Sequence, residues 1–522
     1  MILLVVAALL PRLRDVGEEF DRGVDGERGA QFAVAALNYQ RGEAAGAYPV
    51  LNLEPAPRPE QRLVDTSEPP LVALVAWNAL RLLGPAGWDS AWRDGAPPRG
   101  VELPLRVPFV AAQLLALLLL HSVAREAYGP AVALLGLALA GASAVGIQFA
   151  GLADGAGPGL AMTLLVVHFT LRWIRRAQRA DLALAGASTA LAAGVSFGSF
   201  AFLPGLWFVA WRRLGSRRAL SFVSLTAACT LVPLLLHLFA ARAALEHSLT
   251  PPHVGTLGQL REIFTPPGLD RLGVWVVDEW QHAVTAHGAV IVVVALSAFS
   301  LRSLRALFPR LGEQLAALEH PQRTERELPL LGVLFVGAAL VQFAFDGASS
   351  ASRESLQLWW IPAFSVGGAL ALHQLGGPLL RLRAGLSPLA LLTLAIALPG
   401  LGVQAAWRAR TRGADQSVPM PSATGAWLAE ATPPGSLVLY DRRSGPNRAV
   451  GFYAWRTLWP TGALDAERAA QVATALGLGD GPRFWLSTTP DGAPSRLTTR
   501  EPLRADASLR LWRLDDSATE DF

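Results

Sequence analysis

Five carboxylates, Glu18, Glu19, Asp21, Asp25 and Glu27, fall within residues 18–27, between a short apolar N-terminal run and a long series of apolar segments. A carboxylate held beside a membrane can take a proton from an acceptor hydroxyl or amine. Asp21, Asp25 and Glu27, between the first run and the helix that follows, are the candidates. The competing explanation is a solvated helix start, where Asp and Glu are favoured by the helix dipole. A second acidic position is Asp154, in the Gly-rich turn QFAGLADGAGPGL between two apolar runs. At the centre of a bilayer an Asp would cost about 2.5–3.5 kcal/mol, so Asp154 belongs at the membrane edge or in a watery cavity. Its plain alternative is loop polarity.

Two further signals stand beside apolar helices. Glu68 lies in DTSEPPL, where Pro69-Pro70 stiffens the chain and sets a helix entry. Arg353 and Glu354 precede LQLWWIP. An arginine at a span end can hold a phosphate through two parallel N–H bonds. Arg22 and Arg353 are therefore the phosphate-binding candidates, although Arg353 and Glu354 also suit a surface ion pair. No phosphate-binding glycine loop, HExxH or paired CxxC occurs, and the nine histidines show no ligand spacing.

The elements that must position these residues are mostly apolar. The 522-residue chain is 52% hydrophobic and 16% charged, against about 25% charged in an ordinary soluble domain. All 45 basic residues are arginine, and the single cysteine, Cys229, excludes an internal disulfide. The arginines cluster at the ends of apolar segments, which argues for a membrane topology and against nucleic acid as a partner. Met1–Leu10 lacks a basic n-region and a small-residue cleavage site, so it does not suit a cleaved signal peptide.

A spanning helix needs about 20 mostly apolar residues. Met1–Leu13 is a short first span. Ten further runs follow at about 104–123, 129–150, 156–174, 182–197, 199–211, 219–240, 284–301, 328–345, 355–374 and 385–406, making 11 spans. The arginines of alternate loops (Arg125; Arg172 to Arg179; Arg212 to Arg218; Arg302 to Arg310; Arg381 and Arg383) all fall on one side. With that side cytoplasmic, the N-terminus is inside and the acidic loops are outside. The first outer loop, about 15–103, carries two amphipathic interfacial helices, Gly26–Gln40 and Leu71–Leu83. The second is opened by Pro69-Pro70 and closed by Gly84-Pro85. The piece VWVVDEWQHAV reads as another interfacial helix. Residues 408–522 form a small outer α/β domain, with SLVLYD and FWLST as strands and ALDAERAAQVATALGLG as a helix.

The order of these features is specific: an acidic loop, a helix ending AALNYQRG, then PPLVALVAWNALRLLG, LPLRVPFVAAQLLALLLLHSVAREAYG and QFAGLADGAGPGL. Together they resemble the GT-C class of membrane glycosyltransferases, in particular the bacterial group related to protein mannosyltransferases and the lipid A aminoarabinose transferase. The likeness is strongest over 15–180 and returns at GFYAWRTLWP, which matches the outer-domain strand region of that group. The resemblance implies an all-α polytopic GT-C-like fold over 1–407, with the outer domain at 408–522. It implies a polyprenyl-phosphate-linked sugar donor, with a lipid, glycan or protein acceptor, at the outer face of a bacterial inner membrane. It places the acceptor's base at Asp25, with Glu27 and Asp21 beside it, and a second acidic residue at Asp154. Where the group has His-Pro-Pro this chain has Glu68-Pro69-Pro70, and where it has an adjacent Asp-Glu pair this chain has Asp25-Gly26-Glu27. The histidine that the group carries before a Pro-ended span is replaced in place by Arg353 and Glu354, ahead of Pro362. The resemblance leaves a divalent metal open. A lipid or sugar flippase would instead need charged residues within spans and paired broken helices. A non-catalytic assembly protein would keep the fold alone.

Overall fold

The computed structural model describes residues 1–13, 16–20, 24–53, 61–66, 69–90, 100–246, 248, 272–287, 291–293, 295–296, 299, 328–345, 356–381, 421–441, 448–461, 474, 476, 478, 482–487, 502–505 and 509–514. The chain divides into two compact units. Unit 1 comprises Met1–Arg14, Phe109–His237 and Thr256–Arg410; unit 2 comprises Asp15–Pro108, Leu238–Gly255 and Thr411–Phe522.

Unit 1 is helical. It holds α1 (Ile2–Leu13), most of α4 (Glu102–Tyr128), α5 (Pro130–Gly141), α6 (Ala144–Gln148), α7 (Ala156–Arg176), α8 (Arg179–Val195), α9 (Leu203–Leu214), most of α10 (Ser216–Glu246), α11 (Leu272–His287), α12 (Leu328–Phe345) and α13 (Ile361–Arg381). Among the described residues three helices, Glu102–Tyr128, Ala156–Arg176 and Ser216–Glu246, are long and apolar enough to cross a membrane. On α10, Leu231, Val232, Leu235, Leu236 and Phe239 are exposed, as lipid-facing side chains are.

Several expected spans come out shorter. The run 129–150 is two helices, because Ser143 ends the first and caps the second: its Oγ accepts from Gly146 N at 3.3 Å. The buried Arg12 takes the freed carbonyls at the end of α5, its Nη1 donating to Gly141 O (2.9 Å) and its Nη2 to Ala140 O (3.3 Å). A cation at a helix C-terminus also opposes the dipole. The run 199–211 opens with a 3-10 turn, Phe197–Phe202, and becomes α9 at Leu203. Its expected turn near Ser196 is present, with Ser196 Oγ accepting from Gly198 N. VWVVDEWQHAV is helical, within α11. The span at 385–406 lies outside the described residues.

Unit 2 joins the first loop to the C-terminal domain. Its loop part holds α2 (Val24–Gln40), a hairpin of β1 (Ala44–Ala45) and β2 (Tyr48–Pro49), and α3 (Leu71–Leu83). Its C-terminal part holds α14 (Pro421–Ala431), β3 (Leu437–Asp441), α15 (Arg448–Ala454), β4 (Thr457–Thr461), β5 (Arg483–Ser487), β6 (Arg504–Ala505) and β7 (Arg510–Leu514). The five strands order β4-β3-β5-β7-β6, with β3 parallel to β4 and β5, and β7 antiparallel to β5 and β6. Both faces of this sheet are covered. Val438, Tyr440, Phe484, Leu486 and Leu511 meet α14 and α15 on one face; Leu437, Leu439, Trp485 and Trp512 meet Leu63 and Leu476 on the other.

The strands SLVLYD and FWLST are therefore present, while most of the expected helix at 463–479 lies outside the described residues. In GFYAWRTLWP only the second half is strand. GFYA is helix, because parallel β3 and β4 need a crossover, and Ala449, Val450, Phe452 and Ala454 bury its inner face.

The two loop helices differ. α3 begins after Pro70, ends at Gly84, and buries one side (Val72, Ala73, Ala76, Ala79, Leu80). Leu82 and Leu83 are exposed by 79% and 58%, which suits a helix lying on a membrane. α2 does not fit that expectation. Ala30 and Phe32 through Leu37 are all buried, an unbroken stretch wider than one helix face. Its small alanines let neighbours close in on every side, so α2 is a core helix.

Candidate active site

The approach to the acidic segment is fixed by three side chains of unit 2, with Arg106 and Phe452 buried and Tyr453 half-buried. Arg106, in the first turns of α4, donates from Nη1 to Val16 O (3.3 Å) and Glu18 O (2.6 Å). Its guanidinium lies 5.4 Å from the Phe20 ring, within cation–π range. Tyr453, from α15, accepts at its hydroxyl from Phe20 N (2.7 Å) and donates to Glu102 Oε1 (2.9 Å). Phe452 meets the Phe20 ring edge-on at 5.5 Å. Phe20 is fully buried, whereas Glu18 and Glu19 are exposed. The ring seats on α2 at Gly29: a Cβ there would stand 2.5 Å from Phe20 Cε1, so only glycine allows the approach. Burial, and then the charge of Glu102, push the Tyr453 phenol well above its usual value, so it stays a neutral donor.

Asp25 is the second residue of α2 and Glu27 the fourth; Glu27 is half-buried. Both sit in the first turn, where a carboxylate is favoured by the dipole. Asp21, Arg22, Glu68, Arg353 and Glu354 lie outside the described residues. The far end of α2 is anchored as firmly as its start. Asn38 is fully buried, and its Nδ2 donates to Val50 O (2.7 Å) and Asn52 O (2.9 Å). Its Oδ1 accepts from Arg41 Nη1, which also reaches Leu53 O. Asn52 repeats the device, donating to Gln61 O and accepting from Leu63 N. The AALNYQRG signature is thus a backbone clamp, since buried amide groups need partners. Arg28 approaches Asp65 at 3.9 Å, a half-exposed pair of small energetic weight.

Asp154 belongs to unit 1. It is buried, and its Oδ1 accepts from Ala156 N (2.8 Å) at the start of α7. The preceding helix α6 packs against α11 and the 357–360 turn. There Glu279 Oε1 accepts from Gln357 Nε2 (2.7 Å) and Trp360 Nε1 (2.6 Å), and His287 Nε2 lies 3.2 Å from Gln357 O. No group of three or more His, Cys, Asp or Glu that could hold a metal occurs among the described residues, so no metal ligand set is assigned.

No family model matches this chain, and no curated protein matches it. Solved structures do. The structure of ArnT from Cupriavidus metallidurans bound to undecaprenyl phosphate aligns over 99% of this chain and 98% of its own, at 15% identity and a TM-score of 0.60. The oligosaccharyltransferase of Archaeoglobus fulgidus in the apo form aligns over 93% of this chain and 69% of its own, at 12% identity and a TM-score of 0.59. The archaeal oligosaccharyltransferase AglB from Archaeoglobus fulgidus, in complex with an inhibitory peptide and a dolichol-phosphate, aligns over 93% of this chain and 68% of its own, at 12% identity and a TM-score of 0.57. The chain has a GT-C fold.

Local sequence pattern singles out some residues and is silent on others. Asp25 and Asp154 stand in stretches whose order along the chain is recognisable. Glu102, Arg106, Tyr453 and Glu279 act through distant partners, up to 433 residues apart for Phe20 and Tyr453, and no local pattern records that. Arg106 left one trace, as the cation in the otherwise apolar opening of a span, LPLRVPF.

Proposed function

We propose that this chain is a glycosyltransferase that moves a sugar from a polyprenyl-phosphate carrier to a lipid, glycan or protein acceptor at the outer face of a bacterial inner membrane. The N-terminus is cytoplasmic and the first loop and C-terminal domain are outside. The observation that carries this reading is the full-length GT-C likeness, to a structure holding undecaprenyl phosphate, combined with an acidic start to a helix whose body is buried.

In the reaction, the acceptor's hydroxyl or amine attacks the sugar's anomeric carbon. The bond from that carbon to the phosphate oxygen breaks, and polyprenyl phosphate leaves. Asp25 takes the acceptor's proton. Glu27 and Asp21 stand in the same stretch as alternates. A polyprenyl donor cannot leave the bilayer, so its phosphate stays at head-group depth, and a base held rigidly there gains from orientation. Arg22 and Arg353 are the arginines that would steady the departing phosphate. Asp154 is the second carboxylate; the bond that its Oδ1 accepts from Ala156 N orients it. Glu68 and Glu354 complete the acidic set. Donor hydrophobicity also fits the helical, apolar unit 1.

Purified full-length protein should transfer label from a synthetic polyprenyl-phosphate sugar to a membrane extract of its host. Loss of one glycan or lipid species in a deletion strain identifies the acceptor. Asp154→Asn keeps the oxygen that accepts from Ala156 N and should lower transfer about 10²-fold, the low end of single acid–base contributions. Full transfer by that variant would reduce Asp154 to a turn residue that accepts from Ala156 N.

A further inference from the structure

The Phe20–Tyr453–Glu102 arrangement does more than fill space. Two of its hydrogen bonds meet at the hydroxyl of the half-buried Tyr453, and each partner comes from a different stretch of chain: residue 20 ahead of α2, residue 102 at the start of α4, residue 453 in the C-terminal domain. Glu102 is itself buried. Losing the hydroxyl strands the Phe20 N–H without its acceptor and the carboxylate without its donor. Buried groups stripped of partners drive local rearrangement. Arg106, one turn beyond Glu102 on α4, holds the carbonyls of Val16 and Glu18. The backbone of residues 16–20 is therefore pinned along its length before α2 begins.

The consequence reaches the acidic helix through a single contact. Phe20 seats on Gly29 so closely that no Cβ fits. Gly29 is one helical turn after Asp25, on the same face. A shift of the Phe20 backbone thus moves its ring against the turn that carries Asp25. We propose that Tyr453 is a positioning residue for transfer: its hydroxyl, oriented by Glu102, fixes Phe20 and through it the first turn of α2. The C-terminal domain thereby contributes to catalysis without touching a substrate. This inference rests on the glycosyltransferase reading of the chain.

The test uses full-length protein in detergent or nanodiscs with a polyprenyl-phosphate sugar. Tyr453→Phe is expected to lower kcat tenfold or more while leaving the donor KM within twofold. Amide exchange at Phe20 and in the first turn of α2 is expected to accelerate at least tenfold. Glu102→Leu should reproduce both effects, and the double variant should be no worse than the poorer single one, because both remove one shared contact. Glu102→Gln keeps an acceptor oxygen and should recover most of the rate. Leu511→Ala, in the core of the same domain, controls for general loosening: it should lower the unfolding temperature and leave kcat of the folded protein alone. Unchanged kcat or unchanged exchange in Tyr453→Phe overturns the inference by itself, as does an equal kcat loss in Leu511→Ala. Absence of transfer by the wild type overturns the glycosyltransferase reading and this inference with it.

Discussion

The two helices of the first loop, α2 and α3, pack against each other and are built to opposite rules. α2 is buried over nearly its whole circumference, held at its start by Phe20 on Gly29 and near its end by Asn38. α3 buries one side and exposes Leu82 and Leu83. Tyr39 and Trp77 meet between them at 6.0 Å, and Trp77 Nε1 donates to Gln40 Oε1. The difference separates two jobs that the proposed enzyme would combine. One helix is held on nearly every side by its neighbours. The other stays open on a side that lipid can cover. Substitutions should respond accordingly, steeply on α2 and weakly on α3.

The largest effect is expected at the start of α2. Asp25→Asn removes the base while keeping shape and helix-start polarity. Transfer should fall by about 10²–10⁴-fold, the range for a lost general base, with no change in unfolding temperature. Full activity with a competent donor would take the role from Asp25 and pass it to Glu27 or Asp21.

Next comes the contact beneath it. Gly29→Val would put side-chain carbon where Phe20 Cε1 lies 2.5 Å from an ideal Cβ. Overpacking of this kind costs about 1–3 kcal/mol. The variant should unfold several degrees lower and transfer at least tenfold more slowly. A companion change, Phe20→Ala, enlarges the space and should restore part of the loss when combined with it. If Gly29→Val behaves like wild type, α2 is not tightly held and its contrast with α3 disappears.

Sequence alone made α2 and α3 look alike, both as amphipathic surface helices. The reason is physical. Alanine is small enough to serve either a half-exposed face or a tight all-round contact, so Ala30, Ala33, Ala35 and Ala36 left the burial of α2 open. α3 carries larger residues, and its Leu82 and Leu83 face outward in a way consistent with the reading. Boundaries were legible where proline and glycine set them, as at Pro70 and Gly84. The break at Ala142–Ser143 was not, since a serine in an apolar run signals little until its hydroxyl is seen to cap Gly146 N. The acidic candidates stood out through their crowding within residues 18–27 and, at Asp154, through a carboxylate set between two apolar runs. The groups that hold them were not, because Tyr453 and Phe20 become neighbours only in the folded chain.

A smaller effect is expected on α3. Replacing Leu82 and Leu83 together with Gln removes exposed apolar surface and disturbs no buried contact. Unfolding in detergent should be unchanged within error. Transfer in vesicles should fall a few-fold while transfer in detergent stays normal, if lipid covers this side. An equal loss in both media would show that the exposed leucines meet protein rather than lipid.

The smallest effect concerns the phenols that pin α2 and its surroundings. Burial raises the pKa of Tyr39, Tyr48 and Tyr453 above the usual tyrosine value; at Tyr39 the nearby Asp65 adds to it, and at Tyr453 Glu102 does. A raised folded-state value means that the neutral form is favoured in the native protein. The associated stability is fully present below the unfolded value, about 10, and is lost as pH rises toward the folded value. Between pH 5 and 9, then, these groups should impose no pH dependence on stability at all. Above about pH 10 the unfolding temperature should begin to fall. Phenolate absorbance of the native protein should lag behind that of the unfolded chain, which ionises all five tyrosines. Tyr453→Phe should remove one group's share of that lag and leave the α3 side of the loop, at Leu82 and Leu83, untouched. Native absorbance that rises in step with the unfolded chain would mean that water reaches the phenols, and that α2 is no better sheltered than α3.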